Sequence, residues 1–261
     1  MYKGFVFDLD DTLMDNVHDY SEPILEATKL IIDALGYRAP HVAQIVSMIQ
    51  EIDLSRRNQI DPTTGAHYGY SKRRFPGSLV ETYRAICQRI NWQTFDEIEK
   101  ELEMIGLSAF SEVRYTRNIK HGAVELLRRL ITEKDGIAIL TKGDAEVQKL
   151  KIDCFFRACR ERGCNTSLIQ VRIVDTEKSP GDFSEIKQGM PGCDTWYSVG
   201  NDYDKDIAPA IDVGFDGLWI PVETWESMGK LKEIKESRMN KSRCTEFESL
   251  NKILEMYEFI S

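Results

Sequence analysis

The stretch Gly4-Phe5-Val6-Phe7-Asp8-Leu9-Asp10-Asp11-Thr12 joins a short apolar run to a cluster of acids. Such an apolar run, rich in aromatic residues and closed by acids, predicts a buried strand of a parallel sheet from Gly4 to Leu9. Because side chains alternate along a strand, Asp8 and Asp10 can point the same way while Leu9 packs into the core. Two carboxylates held this close repel each other unless a cation or a shared proton relieves them. The stretch therefore predicts a strand with a site at its end, although acids there can also simply cap the next helix.

Four more strands are predicted downstream, separated by helical sequence, at residues 136–140, 171–174, 196–199 and 217–220. Strands that alternate with helices indicate βαβ units and a mostly parallel sheet. Residues 16–110 show helical periodicity and no convincing strand. The sequence thus predicts an α/β, Rossmann-like core at 1–15 and 116–261, with helices on both faces of the sheet. An all-helical domain at 16–115 is inserted after the first strand.

Polar residues follow the second and third predicted strands. The turn Thr141-Lys142-Gly143-Asp144 offers a hydroxyl and backbone N–H groups where a helix opens, which suits a phosphate, although Asp144 as an ordinary helix cap explains the same residues. Lys178 follows the third strand and can neutralise an anion there, or can be a solvated lysine before a turn. In open α/β sheets, ligands bind at the carboxyl ends of the strands, where these residues lie.

After the fourth strand comes Gly200-Asn201-Asp202-Tyr203-Asp204-Lys205-Asp206. Gly200 is expected to let the backbone turn sharply, and Asn201, Asp202 and Asp206 carry the hard oxygen ligands that Mg²⁺ prefers. An acidic surface turn is the simpler alternative. Each of the four clusters is ambiguous alone, but all fall at the carboxyl ends of predicted parallel strands.

In that order, the clusters Asp8-x-Asp10-x-Thr12, Thr141, Lys178 and 200–206 resemble the four motifs of the haloacid dehalogenase-like (HAD) hydrolase superfamily. The resemblance covers residues 4–14 and about 118–221. It implies that Asp8 is the nucleophile of a phosphatase that forms an aspartyl-phosphate. It also implies that Asp10 is the general acid/base.

The resemblance further implies an Mg²⁺ cofactor held by Asp8, Asp10 and the fourth motif, through Asn201 or Asp202. Thr141 and Lys178, with backbone groups near Leu9, Lys142 and Gly143, are expected to hold the phosphoryl oxygens. Phosphatases of this superfamily commonly have Gly-Asp where this chain has Gly200-Asn201. An amide adds no charge, so the alternative is that Asp202 supplies the carboxylate, with Asp206 steadying the loop.

The expected function is therefore an Mg²⁺-dependent phosphomonoesterase that acts on a small soluble phosphorylated metabolite. Two alternatives stay open, namely a 2-haloacid dehalogenase and a catalytically silent domain with a binding role. Asp10 disfavours the dehalogenase, because such members generally lack an acid two residues after the nucleophile. The substrate is open among sugar phosphates, nucleotides and other small phosphates.

The helical insertion resembles the C1 cap of the superfamily, which closes over the core site. Within it, Lys72-Arg73-Arg74 lies among aromatic residues and is a candidate for contacting an anionic leaving group. The alternative is a solvated loop that balances the acids of the insertion itself.

Composition limits the partners. With 34 Lys and Arg against 43 Asp and Glu, the formal net charge of −9 argues against nucleic-acid binding, which needs clustered cations. No apolar run approaches the roughly 18 residues of a membrane helix, and the apolar N-terminal stretch is too short for a signal peptide. Six cysteines without metal-ligand spacing are expected to be reduced, so a cytoplasmic location is expected. No oligomeric state is indicated.

Overall fold

The computed structural model describes residues 2–224, 229–238 and 243–259. The chain divides into two compact units. One unit comprises Met1–Val17 and Tyr115–Ser261, and the other comprises His18–Arg114. The first unit carries the sheet, and the second consists of helices and loops.

A six-stranded sheet forms the centre of the first unit. Its spatial order is β3-β2-β1-β4-β5-β6, and every neighbouring pair is parallel. The strands are β1 Tyr2–Phe7, β2 Gly136–Lys142, β3 Ile169–Val174, β4 Cys193–Gly200, β5 Asp216–Trp219 and β6 Cys244–Glu246. The predicted mostly parallel sheet is confirmed, and a sixth, short edge strand adds to the five that the sequence predicts.

Helices connect these strands. They are α6 Ala123–Glu133, α7 Ala145–Glu161, α8 Pro180–Gly189, α9 Ala208–Ile211, α10 Leu231–Arg238 and α11 Leu250–Glu255, with a short π-helix at Tyr203–Ile207. Asp144 caps α7 by accepting the N–H groups of Glu146 and Val147, and Ser179 with Asp182 forms a capping box at α8. Helix termini of this kind satisfy backbone donors that the helix itself leaves unpaired.

Alternation along β1 distributes its side chains to both faces of the sheet. Val6 packs in a cluster with Phe183 and Ile186 of α8. Phe5 points to the opposite face, where its ring contacts that of Tyr257 near the C-terminus. Both faces of β1 are therefore covered by helical segments, which is why its buried part, residues 4–7, is apolar.

The helical unit is built on α1 Val17–Leu35, α2 Val42–Arg56, α3 Arg74–Arg89, α4 Asp96–Ser108 and the start of α5 Glu112–Arg117. α1 ends at Leu35, and the next residue, Gly36, has a φ of +55°, the left-handed conformation that favours glycine after a helix. Within the described residues of the whole chain, no helix is both long enough and apolar enough to cross a bilayer. All six cysteines are free thiols.

Two ion pairs inside the helical unit use the cations that the sequence singles out. The Arg74 guanidinium, 9% exposed, donates to both oxygens of the buried Asp53 at 3.0 and 2.9 Å. Arg73 donates to Asp61 at 2.7 Å. Two of the three consecutive cations thus balance acids of their own unit, although Arg74 does so as a buried residue at the start of α3 and not in a solvated loop.

Candidate active site

Asp8, Lys178 and Asp206 form a buried cluster at the carboxyl ends of the strands. Lys178 Nζ donates to Asp8 Oδ1 at 2.5 Å and to Asp206 Oδ1 at 2.7 Å. The three residues are 8%, 9% and 3% exposed, respectively. Two carboxylates in such a place need a cation between them, and the lysine four residues past β3 supplies it.

The ionisation of this cluster follows from its burial. Burial raises the pKa of the Asp8 carboxyl to about 7, against the opposing effect of Lys178, and the charge of Asp206 raises it further. Burial by itself lowers the pKa of the Lys178 ammonium, but the carboxylates of Asp206 and Asp8 more than offset this and hold it above its ordinary value. Lys178 is therefore a cation, and the acids beside it still lack full charge compensation.

The loop after β4 is shaped around Asp206. A Cβ on Gly200 would lie 2.3 Å from the Cβ of Asp206, so only glycine fits at that position. Asp206 Oδ2 accepts the N–H of Asp202, and its backbone oxygen accepts the hydroxyl of Ser198. Gly200 has no left-handed φ, so the reason for glycine is this close approach and not the sharp turn expected from the sequence.

Asn201 and Asp202, the two candidate metal ligands of this loop, have different surroundings. Asp202 Oδ1 accepts the N–H groups of Asp204 and Lys205, and its Oδ2 pairs with the Lys205 ammonium at 3.0 Å. The Asp202 carboxylate therefore serves as a helix cap. Asn201 Oδ1 lies beside the first motif, where it accepts the hydroxyl of Thr12 at 3.3 Å. Of the two, Asn201 is the one directed towards the acid cluster of the first strand.

Asp10 has a second, separate set of partners. Lys151 Nζ donates to Asp10 Oδ1 at 2.7 Å, and Gln148 Nε2 donates to Asp10 Oδ2 at 2.7 Å. Both donors belong to α7. Thr141 is fully buried and donates its hydroxyl to Gln148 Oε1 at 3.2 Å, so it reaches Asp10 through the glutamine.

The remaining residues predicted to bind phosphate contribute backbone groups or none. The N–H of Gly143 donates to Val174 O at 3.0 Å and is engaged at the sheet edge. The Lys142 ammonium pairs with Glu177. No acceptor for the N–H of Leu9 is found within the described part of the chain, so this backbone group beside Asp8 remains available.

Asp11, the third acid of the first motif, serves the backbone. It lies in the left-handed region at φ +60°, and its Oδ1 accepts the N–H groups of Asn16 and Val17. Lys120 Nζ donates to its backbone oxygen at 2.5 Å. These contacts fix the chain where it leaves the sheet after β1. The Asp11 carboxylate thus binds backbone N–H groups, whereas those of Asp8 and Asp10 pair with lysine side chains.

The structure joins all four sequence motifs through side-chain hydrogen bonds. The first motif contacts the third through Asp8 and Lys178, and the fourth through Thr12 and Asn201. It contacts the helix that follows the second motif through Asp10 and Gln148. The residues that the sequence places at separate strand ends thus share one edge of the sheet.

The oxygen donors here fit a hard cation such as Mg²⁺. Asp8 is a buried carboxylate whose Oδ2 has no hydrogen-bond donor among the described residues, and burial raises its pKa to about 7, so a cation beside it would favour its charged form. The Asn201 amide oxygen lies near the same motif. Across residues 2–224, 229–238 and 243–259, no group of three or more His, Cys, Asp and Glu side chains forms a metal cluster. Mg²⁺ is commonly held by one or two carboxylates with other oxygens and water, and this poorer set is compatible with that.

Gln148 and Lys151 are not among the site residues predicted from the sequence. Asp206 is expected there to steady its loop, but its ion pair with Lys178 is not predicted. A signal for the first two was present. α7 buries the positions around Val147, Ile152 and Phe155, and Gln148 and Lys151 fall on the same buried stripe. A lysine and a glutamine on the apolar face of a helix need partners, and those partners mark a site.

Comparison with known proteins agrees with this architecture. No protein-family model matches the chain, and no curated protein matches it in sequence. Among solved structures, a haloacid dehalogenase-like family hydrolase from Xanthomonas campestris is similar at a TM-score of 0.59 and 16% identity, covering 95% of this chain and 91% of that one. A HAD phosphatase from Thermococcus onnurineus gives 0.52 and 14%, covering 98% and 97%. A Bacillus subtilis protein assigned to the HAD hydrolases and bound to magnesium gives 0.51 and 14%, covering 100% and 99%. The chain has the fold of the haloacid dehalogenase-like hydrolases.

Proposed function

We propose that this protein is an Mg²⁺-dependent phosphohydrolase that cleaves a small soluble phosphate monoester. The observation that carries the proposal is the pair Asp8 and Asp10, two residues apart and each held by its own buried lysine. One acid can act as the nucleophile while the other manages protons, because their surroundings differ.

The second acid favours phosphate esters over haloacids. A halide leaves as a stable anion and needs no proton, whereas the alcohol of a phosphate ester leaves well only when it is protonated. Asp10 is the only acid besides Asp8 in the first motif whose carboxylate is not used to hold the local backbone. Its fixed carboxylate therefore supports phosphoryl transfer.

The proposed reaction has two steps. Asp8 attacks phosphorus and forms an aspartyl-phosphate as the bond to the leaving oxygen breaks, and Asp10, which enters this step as the neutral carboxylic acid, gives that oxygen its proton. Water then attacks the aspartyl-phosphate, Asp10 accepts the proton of that water, and Asp8 is released with inorganic phosphate. Lys178 holds one Asp8 oxygen in place and offsets the charge of the dianionic substrate as it approaches.

The Asp8 carboxylate, the Asp10 backbone carbonyl and the Asn201 amide oxygen would hold Mg²⁺. When bound, the ion supplies positive charge against the negative charge of the transferring phosphoryl group. The Asp202 carboxylate, which caps its own loop, is not needed for this set.

The test is hydrolysis of p-nitrophenyl phosphate and a panel of sugar and nucleotide monophosphates by wild type, Asp8→Asn and Asp153→Asn. Asp153 is exposed on α7, so its variant controls for the same change in charge. We expect Asp8→Asn to lower kcat by about 10⁴-fold and Asp153→Asn to leave it unchanged. We expect EDTA to abolish activity and Mg²⁺ to restore it. Halide release from 2-chloropropionate with no phosphate release from the panel would instead support the dehalogenase.

A further inference from the structure

α7 presents two polar side chains to Asp10 from one face. Gln148 and Lys151 are three residues apart, so they are neighbours on the helix surface. Both are buried, at 4% and 3% exposure. The start of α7 is fixed by the Asp144 cap, which sets the position of these two side chains along the sheet edge.

Because the Lys151 side chain is buried, its partners indicate what it does. A lysine ammonium is almost never fully buried without a partner, since burial removes its hydration. Lys151 Nζ has Asp10 Oδ1 and Asn16 Oδ1 as acceptors, each at 2.7 Å, and it lies 5.4 Å from the centre of the Tyr115 ring. The ammonium is thus held on more than one side, and it cannot follow Asp10 if that side chain rotates.

The Asp10 carboxylate is held at both of its oxygens. Lys151 donates to Oδ1 and Gln148 to Oδ2. Gln148 is itself fixed, because its Oε1 accepts the Thr141 hydroxyl and its Nε2 also lies 3.3 Å from Lys142 O. Rotation of the Asp10 carboxylate therefore breaks at least one charge-assisted hydrogen bond, and these are the stronger kind.

We propose that Lys151, with Gln148, is a positioning residue that fixes the Asp10 carboxyl group, which carries a proton at the start of the reaction, for transfer of that proton to the leaving oxygen. This inference rests on the proposed phosphohydrolase function. Neither residue touches the phosphoryl group in this scheme, and both act only through Asp10. A proton donor must lie within hydrogen-bond distance of the oxygen it protonates, so the orientation of its carboxylate limits the rate.

The consequence is a specific dependence on the leaving group. An alkyl phosphate releases a strongly basic alkoxide and needs the proton from Asp10, whereas p-nitrophenyl phosphate releases a weakly basic phenolate and hardly needs it. Loss of Asp10 orientation should therefore damage the first reaction far more than the second. The ratio kcat/KM reports the formation of the aspartyl-phosphate, so it separates this step from the later attack of water, which is common to both esters.

The experiment compares kcat/KM for glycerol 1-phosphate and p-nitrophenyl phosphate in wild type, Lys151→Met, Lys151→Arg and Lys149→Met. Methionine keeps most of the volume of lysine, and Lys149 is an exposed lysine on the same helix, so its variant is the matched control. We expect Lys151→Met to lower kcat/KM by about 10²-fold for the alkyl ester and by less than about tenfold for the aryl ester. Lys151→Arg, which retains charged donors, should recover part of the alkyl activity, and Lys149→Met should match wild type.

Equal losses on both esters, or none on the alkyl ester, would overturn the inference while leaving the phosphohydrolase function intact. Thermal unfolding of each variant tests for folding. If Lys151→Met does not fold, Gln148→Met must show the same selective loss.

If wild type cleaves neither ester nor any other phosphate, the proposed function fails. A crystal structure of Lys151→Met then decides the positioning role by itself. In this variant, we expect the Asp10 carboxylate to rotate and to lose its hydrogen bond to Gln148. An Asp10 side chain in the same orientation as in the wild type would refute the positioning role.

Discussion

Replacing Lys178 with methionine removes the one cation between two buried carboxylates. Breaking a buried ion pair by deleting one partner costs about 3–5 kcal/mol, because the remaining charge is left uncompensated. Here Asp8 and Asp206 both lose a contact, of 2.5 and 2.7 Å. Asp8 can avoid part of the cost by taking up a proton, since its pKa is raised to about 7 by burial. We therefore expect Lys178→Met to lower the free energy of unfolding by about 3–5 kcal/mol at neutral pH, which is a large part of the 5–15 kcal/mol typical of domains.

Urea unfolding followed by circular dichroism measures this loss. Lys235→Met is the control, because Lys235 pairs with Glu246 in the same unit while 34% and 41% of the two side chains are exposed. Exposed pairs contribute about 0–1 kcal/mol, so the control should stay within that range. The double variant Lys178→Met with Asp206→Asn removes one of the stranded charges and should be more stable than Lys178→Met alone. A loss for Lys178→Met no larger than that of the control, or a further loss in the double variant, would refute the reasoning.

Two other predictions concern the close approach at Gly200 and the buried thiol of Cys159. Gly200→Ala puts a methyl group 2.3 Å from the Cβ of Asp206 and should destabilise the protein by about 1–3 kcal/mol, measured by urea unfolding; an alanine variant as stable as wild type would show that the loop moves freely. Burial raises the pKa of the Cys159 thiol from 9.0 to about 12, so the folded state retains that proton longer than the unfolded state. The free energy of unfolding should therefore fall as the pH rises from 9 towards 12, and the fall should be shallower in Cys159→Ala, with no difference between the two proteins contradicting the assignment.

Much of the fold can be predicted from the sequence, because its signals are local. The buried ends of β1 and β4 are followed by polar turns, and α7 begins at Asp144 with a standard cap. Each of these depends on neighbours within a few residues. β6 could not be predicted in this way, since Cys244–Glu246 is three residues long and becomes a strand only by pairing with β5.

The candidate site likewise has residues that local sequence predicts and others that it does not. Asp8, Asp10 and Lys178 can be predicted as site residues from their positions at strand ends, but the partner of each acid depends on contacts between distant segments. Lys178 reaches Asp8 from 170 positions along the chain, and Lys151 reaches Asp10 from 141. The role of Asp202 could not be predicted either. A carboxylate in that loop can bind a metal or cap a helix, and only the direction of the side chain distinguishes the two.

The location of β1 brings partners to the acids at its end from both sides. β1 lies between β2 and β4, so the segment that follows it receives side chains from both directions. From the side of β4 come Asn201, which contacts Thr12, and Asp206, which shares Lys178 with Asp8. From the side of β2 comes α7, which supplies both donors to Asp10. Lys178 follows β3, so the cations of both acids come from the side of β2, and only Asn201 and Asp206 come from the side of β4. A first strand at the edge of the sheet would have neighbours on one side only, and Asp8 would then lose either its lysine or the second carboxylate that shares this lysine. The central position of β1 is thus the feature that places Asp8 beside both Lys178 and Asp206, while Asp10 is held by α7.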